Sequence, residues 1–265
     1  MPTTAMDPPP LTPPLKWAGG KRWQLPVLRP LWAGYQHRRL VEPFCGGLAV
    51  PLGLRPATAL LNDLNPHLVN FYRWVQRGLS VDVALENVRD LYYAHRTRFN
   101  ALLEVGGGDT AEASLFYFLN RTGYNGLCRF NRRNQFNVPF GRYRSIPYVS
   151  DLHGYRDALR SWSFTCVEFD AMPLAPDDFV YADPPYDVEF RQYAARGFSW
   201  DDQVRTAQFL AAHPGPVVLA NQATPRILAL YESLGYTLRL LDAPRRISCD
   251  GNRTPAREVL ALRNL

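Results

Sequence analysis

Two short strings in this chain hold side chains whose types and spacing could do chemistry. In DFVYADPPYDVEF (178–190) an apolar run ends at Asp183, two prolines follow, and then comes Tyr186. Proline fixes φ near about −65°, so the Asp183 carboxylate and the Pro184 carbonyl offer two acceptors in a set geometry. An exocyclic NH2 group has two donors to match them, and the Tyr186 ring could stack on the heterocycle that bears it. In LVEPFCGGLAV (40–50) an apolar run, Gly46–Gly47 and a second apolar run read as strand, turn and helix. Glycines let backbone approach a ligand closely, as a nucleotide-type cofactor site requires. Asp63, ending the next apolar run, is placed to accept hydrogen bonds from ribose hydroxyls. Each string also fits an ordinary turn, one stiffened by proline and one loosened by glycine, and taken alone leaves that reading open.

The charge pattern adds a third feature. The chain has 265 residues and a net charge of +6, and only Lys16 and Lys21, both in KWAGGK, are lysines among its 30 basic residues. A G- and C-rich genome accounts for the arginine excess. It also singles out the lysines, since a compact ammonium is not interchangeable with a planar guanidinium. From Ala113 to Ser150 there is no Asp or Glu, while Arg121, Arg129, Arg132, Arg133, Arg142 and Arg144 fall inside. The window interleaves them with Tyr124, Phe130, Phe136, Phe140 and Tyr143 and with five asparagines. Cations on phosphates, amides on base edges and rings that stack or wedge are the components of a nucleic-acid surface. A solvated basic face is the bland alternative.

Several classes are excluded. At 46% hydrophobic and 20% charged the chain can bury a core, and its length suits one large domain or one domain with an insertion. No apolar run approaches the roughly 18 residues that span a bilayer, and MPTTAMDPPPLTPP lacks the basic start and apolar stretch of a signal peptide. Its prolines predict an extended tail over 1–14. Cys45, Cys128, Cys166 and Cys249 form no C-x-x-C pair and the five histidines lack ligand spacing, so a metal-free site in a reducing cytoplasm is expected. Cys45 reads as packing, the aromatic pairs of 72–93 as core, and His153 and His213 carry no signal.

These groups must be positioned by secondary structure. Strands are expected at 38–44, 58–63, 163–169, 178–185 and 216–222, with two closing strands, YTLRLLD and EVLALRN. Helices are expected after CGG to about Leu54, over 67–78, 81–104 and 112–120, after Ser199 in a capping pattern with Asp202, and over PRILALYESLG. LCRFN and QFNVPF, joined by RRN, read as a hairpin. Strands alternate with helices at both ends and a helical, basic block interrupts them. The expected fold is α/β, its sheet domain split into 15–66 and 160–265 around an insertion at 67–159.

Here a resemblance becomes plain. KWAGGK, EPFCGG, NRTGYNGLCRFN, QFNVPFGRY, DPPY and RRIS…NRTPAREVLAL, in that order over about residues 15–263, resemble the DNA adenine N6-methyltransferases that recognise GATC, with the cofactor motif before the catalytic motif. The resemblance implies a Rossmann-like S-adenosylmethionine-dependent methyltransferase sheet with an inserted helical and β-hairpin target-recognition domain. It implies S-adenosyl-L-methionine as cofactor, held by Trp17, Lys21, Phe44, Gly46, Asp63 and Asp183. Asp183, the Pro184 carbonyl and Tyr186 would hold a flipped adenine. In double-stranded DNA, Lys16 and Arg129 would read guanines, Tyr124 would wedge into the stack, and Asn125, Leu127 and Pro139 would contact bases. Asn131, Asn137 and Arg142 would meet phosphates. A monomer is expected, and a restriction endonuclease in the same system is a partner the sequence leaves open.

The chain departs from the family at two places. Leu48 stands where the turn F-x-G-x-G has its second glycine, and the loop from Tyr186 to Phe198 is shorter than in bacterial housekeeping members. Related folds methylate RNA bases or a glutamine side chain, often with Asn at the position of Asp183; the aspartate and the hairpin favour DNA. Intact Lys21, Asp63 and Asp183 argue against an idle DNA-binding module, and the absence of an acidic-x-Lys element argues against a nuclease.

Overall fold

The computed structural model describes residues 11–187, 198–243 and 256–265. Tail residues 1–10, loop residues 188–197 and the stretch 244–255, which holds RRIS, most of NRTPA and Cys249, lie outside the described residues.

Among the described residues five strands lie parallel: β1 (Leu40–Glu42), β2 (Ala59–Asn62), β3 (Trp162–Thr165), β4 (Phe179–Ala182) and β5 (Val217–Gln222). Of the closing strands β6 (Thr237–Ala243) and β7 (Ala256–Arg263), β7 runs antiparallel between β5 and β6, and the order is β3-β2-β1-β4-β5-β7-β6. Every residue of β1, β2 and β4 is buried, as expected for parallel strands covered on both faces. Successive side chains alternate between faces. Val41, Leu60, Val180 and Leu219 pack in one cluster with Ala207, Leu210, Ile227 and Tyr231. The last four come from α7 (Trp200–Ala211) and α8 (Pro225–Ser233). Leu40, Leu61, Phe179 and Val218 pack in the other cluster, with α1 (Leu25–Trp32), α2 (Ala49–Leu54) and α3 (Pro66–Arg77).

That second cluster continues without a break into the insertion. Tyr72 of α3 stacks on Phe164 of β3 at 5.5 Å, and Phe71 stacks on Tyr117 of α5 (Thr110–Thr122) at 5.8 Å. Tyr72 and Tyr92 are core residues, and Cys45 is buried among them. His213 is also structural, its Nε2 bonded to the Asp178 carbonyl. Helix starts follow their cap signals: Asn65 and Asp109 cap α3 and α5, and Ser199 and Asp202 form the expected capping box of α7.

Three expectations are corrected. The helix expected over 81–104 begins only at Arg89, as α4 (Arg89–Glu104), because Val88 is extended. From Val81 to Val88 burial alternates residue by residue with period two, and Val81, Val83 and Leu85 lie against the core. Among the described residues the hairpin after α5 has no paired strands, only the isolated bridges Phe130↔Phe136 and Gly123↔Phe140. Two helices, α1 and α6 (His153–Leu159), form where none was expected.

Candidate active site and nucleic-acid interface

The chain runs from β1 outward to β3, then crosses back to β4 and builds the other half of the sheet. The order therefore reverses between β1 and β4, and ligands of such sheets bind in the crevice at the carboxyl ends of the strands at that point. EPFCGG leaves the end of β1 and DPPY the end of β4. Strings that begin at Glu42 and Asp183 are thus neighbours because their strands are paired.

Asp183 is the centre of this crevice. Its Oδ2 lies 3.0 Å from Lys21 Nζ, with side-chain exposures of 20% and 6%. Lys21 Nζ also donates to the Gly19 carbonyl at 2.7 Å and sits 4.5 Å from the centroid of the Tyr186 ring. Three carboxyl groups share this region with one ammonium, because Glu42 and Glu258 act electrostatically on Asp183 or are acted on by it. Burial, opposed by Lys21, raises the Asp183 carboxyl to about 6. Burial pushes the wholly enclosed Glu42 well up, and the Tyr186 hydroxyl as well. Among the described residues Asp183 Oδ1 and Glu42 Oε1 are buried without a hydrogen-bond partner, while the Tyr186 hydroxyl faces the Asp183 and Glu258 carboxyl groups. Such orphans are rare and costly, and these two acceptor oxygens suit a ligand with N–H donors.

The shape of the DPPY loop is held from behind. Gln203 of α7 donates to the Pro185 carbonyl at 2.7 Å and accepts from Asn221 at 2.9 Å, while Arg226 pairs with Asp187. Pro184 itself is buried. Behind Asp183, Tyr181 donates to Gln24 and Gln24 donates to Glu258, at 2.8 and 2.9 Å. Gln24, Glu42, Gln203 and Glu258 were not among the expected site residues. Glu42 and Glu258 lie inside quoted strings, but nothing in sequence brings them to Asp183.

The glycine turn is explained by Trp17 as much as by any ligand. Gly46 has φ +44°, and a Cβ there would meet Trp17 Nε1 at 2.7 Å. Asp63 ties the turn down: its Oδ2 accepts from Gly46 N at 3.1 Å and its Oδ1 from Asn65 N at 2.9 Å. Each oxygen keeps a further lone pair for a ligand hydroxyl. Leu48 adopts the left-handed conformation, φ 59° and ψ 30°, and is fully buried. This is a conformation that glycine adopts readily, and burial of the leucine offsets the strain. Phe44 packs 5.6 Å from Phe169 and 5.7 Å from Phe198.

Lys16 lies at the other end of KWAGGK. Asn120 clamps its backbone with two bonds of 2.8 Å. Its Nζ donates to the Arg121 carbonyl at 2.8 Å and sits 3.4 Å from the Tyr143 ring centroid. Burial and Arg121 lower its pKa to about 8. Gly126 permits this approach, since a Cβ there would lie 2.3 Å from Lys16 Cβ. Asn120 and Tyr143 were visible in the basic window without an assigned role.

Beside Lys16 the insertion presents an exposed surface. Tyr124 is 50% exposed and Leu127 37%, and Asn125, Arg129, Pro139 and Arg142 are also exposed. Tyr124 N donates to the Pro139 carbonyl at 2.9 Å. Arg129 Nε donates to Asn137 Oδ1 at 2.8 Å. Asn131 turns inward on its own loop, accepting from Arg133 N and Gln135 N at 2.9 and 3.0 Å. Among the described residues no group of three or more His, Cys, Asp or Glu could hold a metal ion, and no helix is long and apolar enough to cross a membrane.

The profile of the family described as D12 class N6 adenine-specific DNA methyltransferase matches residues 17–245. The chain is 35% identical over 265 residues to the Retron Ec67 DNA adenine methylase of Escherichia coli, covering 94% of this chain and 90% of that protein. It is 34% identical over 270 residues to the DNA adenine methylase of Escherichia coli strain K12, covering 94% of each. It is 34% identical to the DNA N-6-adenine-methyltransferase of Escherichia phage P1, of which it spans 35%.

Proposed function

The chain belongs to the D12 class of N6 adenine-specific DNA methyltransferases, and from that premise we propose that it methylates adenine in GATC, using S-adenosyl-L-methionine and flipping the base out of the duplex. The family establishes adenine-specific methylation of DNA, which requires a methyl donor. The observation that supports the cofactor and flipped-adenine reading is Asp183 Oδ1 in the crevice between β1 and β4, buried without a partner among the described residues; the GATC reading rests on the resemblance of the base-reading strings.

The residues present fit the donor. Asp63 keeps lone pairs for ribose hydroxyls, and the orphaned carboxyl oxygens of Glu42 and Asp183 suit a cationic ligand with N–H donors. When bound, S-adenosylmethionine supplies a methyl group on a sulfonium, already a good leaving group. The protein's task is then mostly positioning. In this reading Tyr186 stacks on the extruded adenine, and Asp183 Oδ1 and the Pro184 carbonyl accept its amino hydrogens, aiming the nitrogen lone pair at the methyl carbon. A carboxyl raised to about 6 is also a better proton acceptor than an ordinary one, suited to the proton that N6 must shed.

The exposed surface of the insertion supplies readout. Lys16 and Arg129 read guanine O6 and N7, and Arg142 and Asn137 meet phosphates. Tyr124, exposed and held by Pro139, fills the gap left by the flipped base, offsetting an unstacking cost of a few kcal/mol. Asn125, Leu127 and Pro139 contact bases. Arg129 and Asn137 must release each other to reach DNA, and Asn131 acts by shaping the loop that carries its neighbours. The recognition unit is residues 67–159 and the catalytic unit the two segments around it. A monomer in the cytoplasm is part of the same reading.

The test is to incubate the protein with S-adenosylmethionine and duplexes with and without GATC, then score methylation-sensitive digestion and hydrolysed nucleosides. N6-methyladenine confined to GATC supports the proposal. Methylation elsewhere sinks the specificity, and no transfer from this donor sinks the cofactor.

A further inference from the structure

We propose that Asn65 and His67, at the start of α3, are positioning residues that fix the base-reading segment 127–130 and thereby set sequence discrimination. The proposal rests on the reading of that segment given under Proposed function.

The segment alternates. Leu127 and Arg129 are exposed, whereas Cys128 and Phe130 are half-buried and packed against the core. Both inward residues land on the first turn of α3. Asn65 Nδ2 donates to Cys128 Sγ at 3.1 Å. The His67 imidazole stacks on Phe130, with centroids 4.8 Å apart and planes 26° apart. The outward pair therefore takes its place from the inward pair, and the inward pair from two side chains of one helical turn.

Those two side chains have no slack of their own. Asn65 Oδ1 accepts from His67 N and Leu68 N at 3.1 and 3.2 Å, and Asn65 N donates to Asp63 Oδ1. His67 Nδ1 is bonded to Glu112 Oε1 at 2.7 Å; His67 is 8% exposed and Glu112 3%. The other Glu112 oxygen accepts from Gly108 N. Burying two ionisable groups beneath a surface loop is an expensive way to fill space, since an apolar pair packs as well. What the pair adds is a fixed orientation for the ring on which Phe130 rests.

Cys128 is kept as a thiol, burial raising it to about 12, so its sulfur serves as a neutral acceptor. A guanidinium reads guanine through two parallel bonds, and a small displacement of Arg129 forfeits them both. Asp63 is two residues from Asn65. The same short stretch of chain thus holds the proposed ribose carboxylate and the anchor of the base-reading segment.

The test compares wild type with Asn65→Ser, Cys128→Ala and Cys128→Ser. Serine at 65 keeps a cap acceptor but is too short to reach Cys128, and serine at 128 keeps an acceptor near the Sγ position. The readouts are kcat/KM on a GATC duplex against duplexes with one guanine replaced, and the melting temperature of each protein. The expected result is a loss of about tenfold or more in discrimination for Asn65→Ser and Cys128→Ala. Rates should rise or hold on the wrong duplexes, the melting temperature of Cys128→Ala should be close to wild type, and Cys128→Ser should restore discrimination. If Asn65→Ser fails to fold, Cys128→Ala decides alone. Unchanged discrimination in Cys128→Ala, or an equal rate loss on every duplex, overturns the proposal. A wild-type enzyme that methylates adenine without preference among the duplexes overturns the reading of segment 127–130 itself.

Discussion

Replacing Asp183 by asparagine keeps the volume of the side chain and removes a negative charge from the crevice between β1 and β4. Burial raises this carboxyl from 3.8 to about 6 despite Lys21, so the folded protein holds the proton more tightly than the unfolded chain does. Stability therefore falls as pH rises from about 4 to about 6 and stays at the lower level above that. Each pKa unit corresponds to about 1.4 kcal/mol, which sets a ceiling of about 3 kcal/mol. The 20% exposure of the side chain brings the expected gain in Asp183→Asn to about 1–2 kcal/mol at pH 7.5. For a chain of this length that is a rise of about 2–4 °C in melting temperature. Ligand-free protein would be melted in a calorimeter from pH 4 to 8. The gap between variant and wild type should be small near pH 4, open through pH 6 and then level off, while methyl transfer is lost. A variant less stable than wild type at pH 7.5, or a gap independent of pH, would mean that the Lys21–Asp183 pair is a net stabiliser and that the crevice is not strained by its charge.

Other substitutions probe the surrounding parts. Leu48→Gly relieves left-handed strain of about 1 kcal/mol but removes a fully buried side chain whose truncation costs about 3 kcal/mol or more; chemical denaturation should show a net loss, with binding of S-adenosylmethionine by calorimetry retained. Gly46→Ala places a methyl 2.7 Å from Trp17 Nε1 and should displace the indole, seen as altered tryptophan fluorescence together with at least about tenfold weaker cofactor binding; unchanged emission would refute the packing argument. Lys16, lowered to about 8, is charged at pH 7 and loses its charge above pH 8, so duplex affinity should weaken between pH 7 and 9. Lys16→Gln should bind more weakly at pH 7 and lack this component of the pH dependence, as fluorescence anisotropy at fixed salt would show.

The strands and capped helices were legible because period, caps and punctuation are local. Asn65 with Pro66, Asp109, and Ser199 with Asp202 start helices where such residues should. The misread stretch 81–88 was legible too. Val81, Val83 and Leu85 recur every second residue and two of them are β-branched, which favours the alternating burial observed over a helix; the helical reading of this stretch carried the period of 89–104 too far back. The unpaired hairpin shows the limit: Asn131 satisfies the loop backbone with its own side chain, and two isolated bridges suffice.

By itself the sequence determined the family, the order of the motifs and the concentration of positive charge between Ala113 and Ser150. Each is a matter of residue identity along the chain. Only the tertiary structure decided that Glu42 and Glu258 share a buried region with Asp183, and that Trp17 leaves no room for a side chain at Gly46. It also decided that Leu48 is left-handed and fully buried and that α3 stands beneath Cys128 and Phe130. Those facts depend on strand order and burial, which set the dielectric and the neighbours of a group, and residues far apart in sequence supply both.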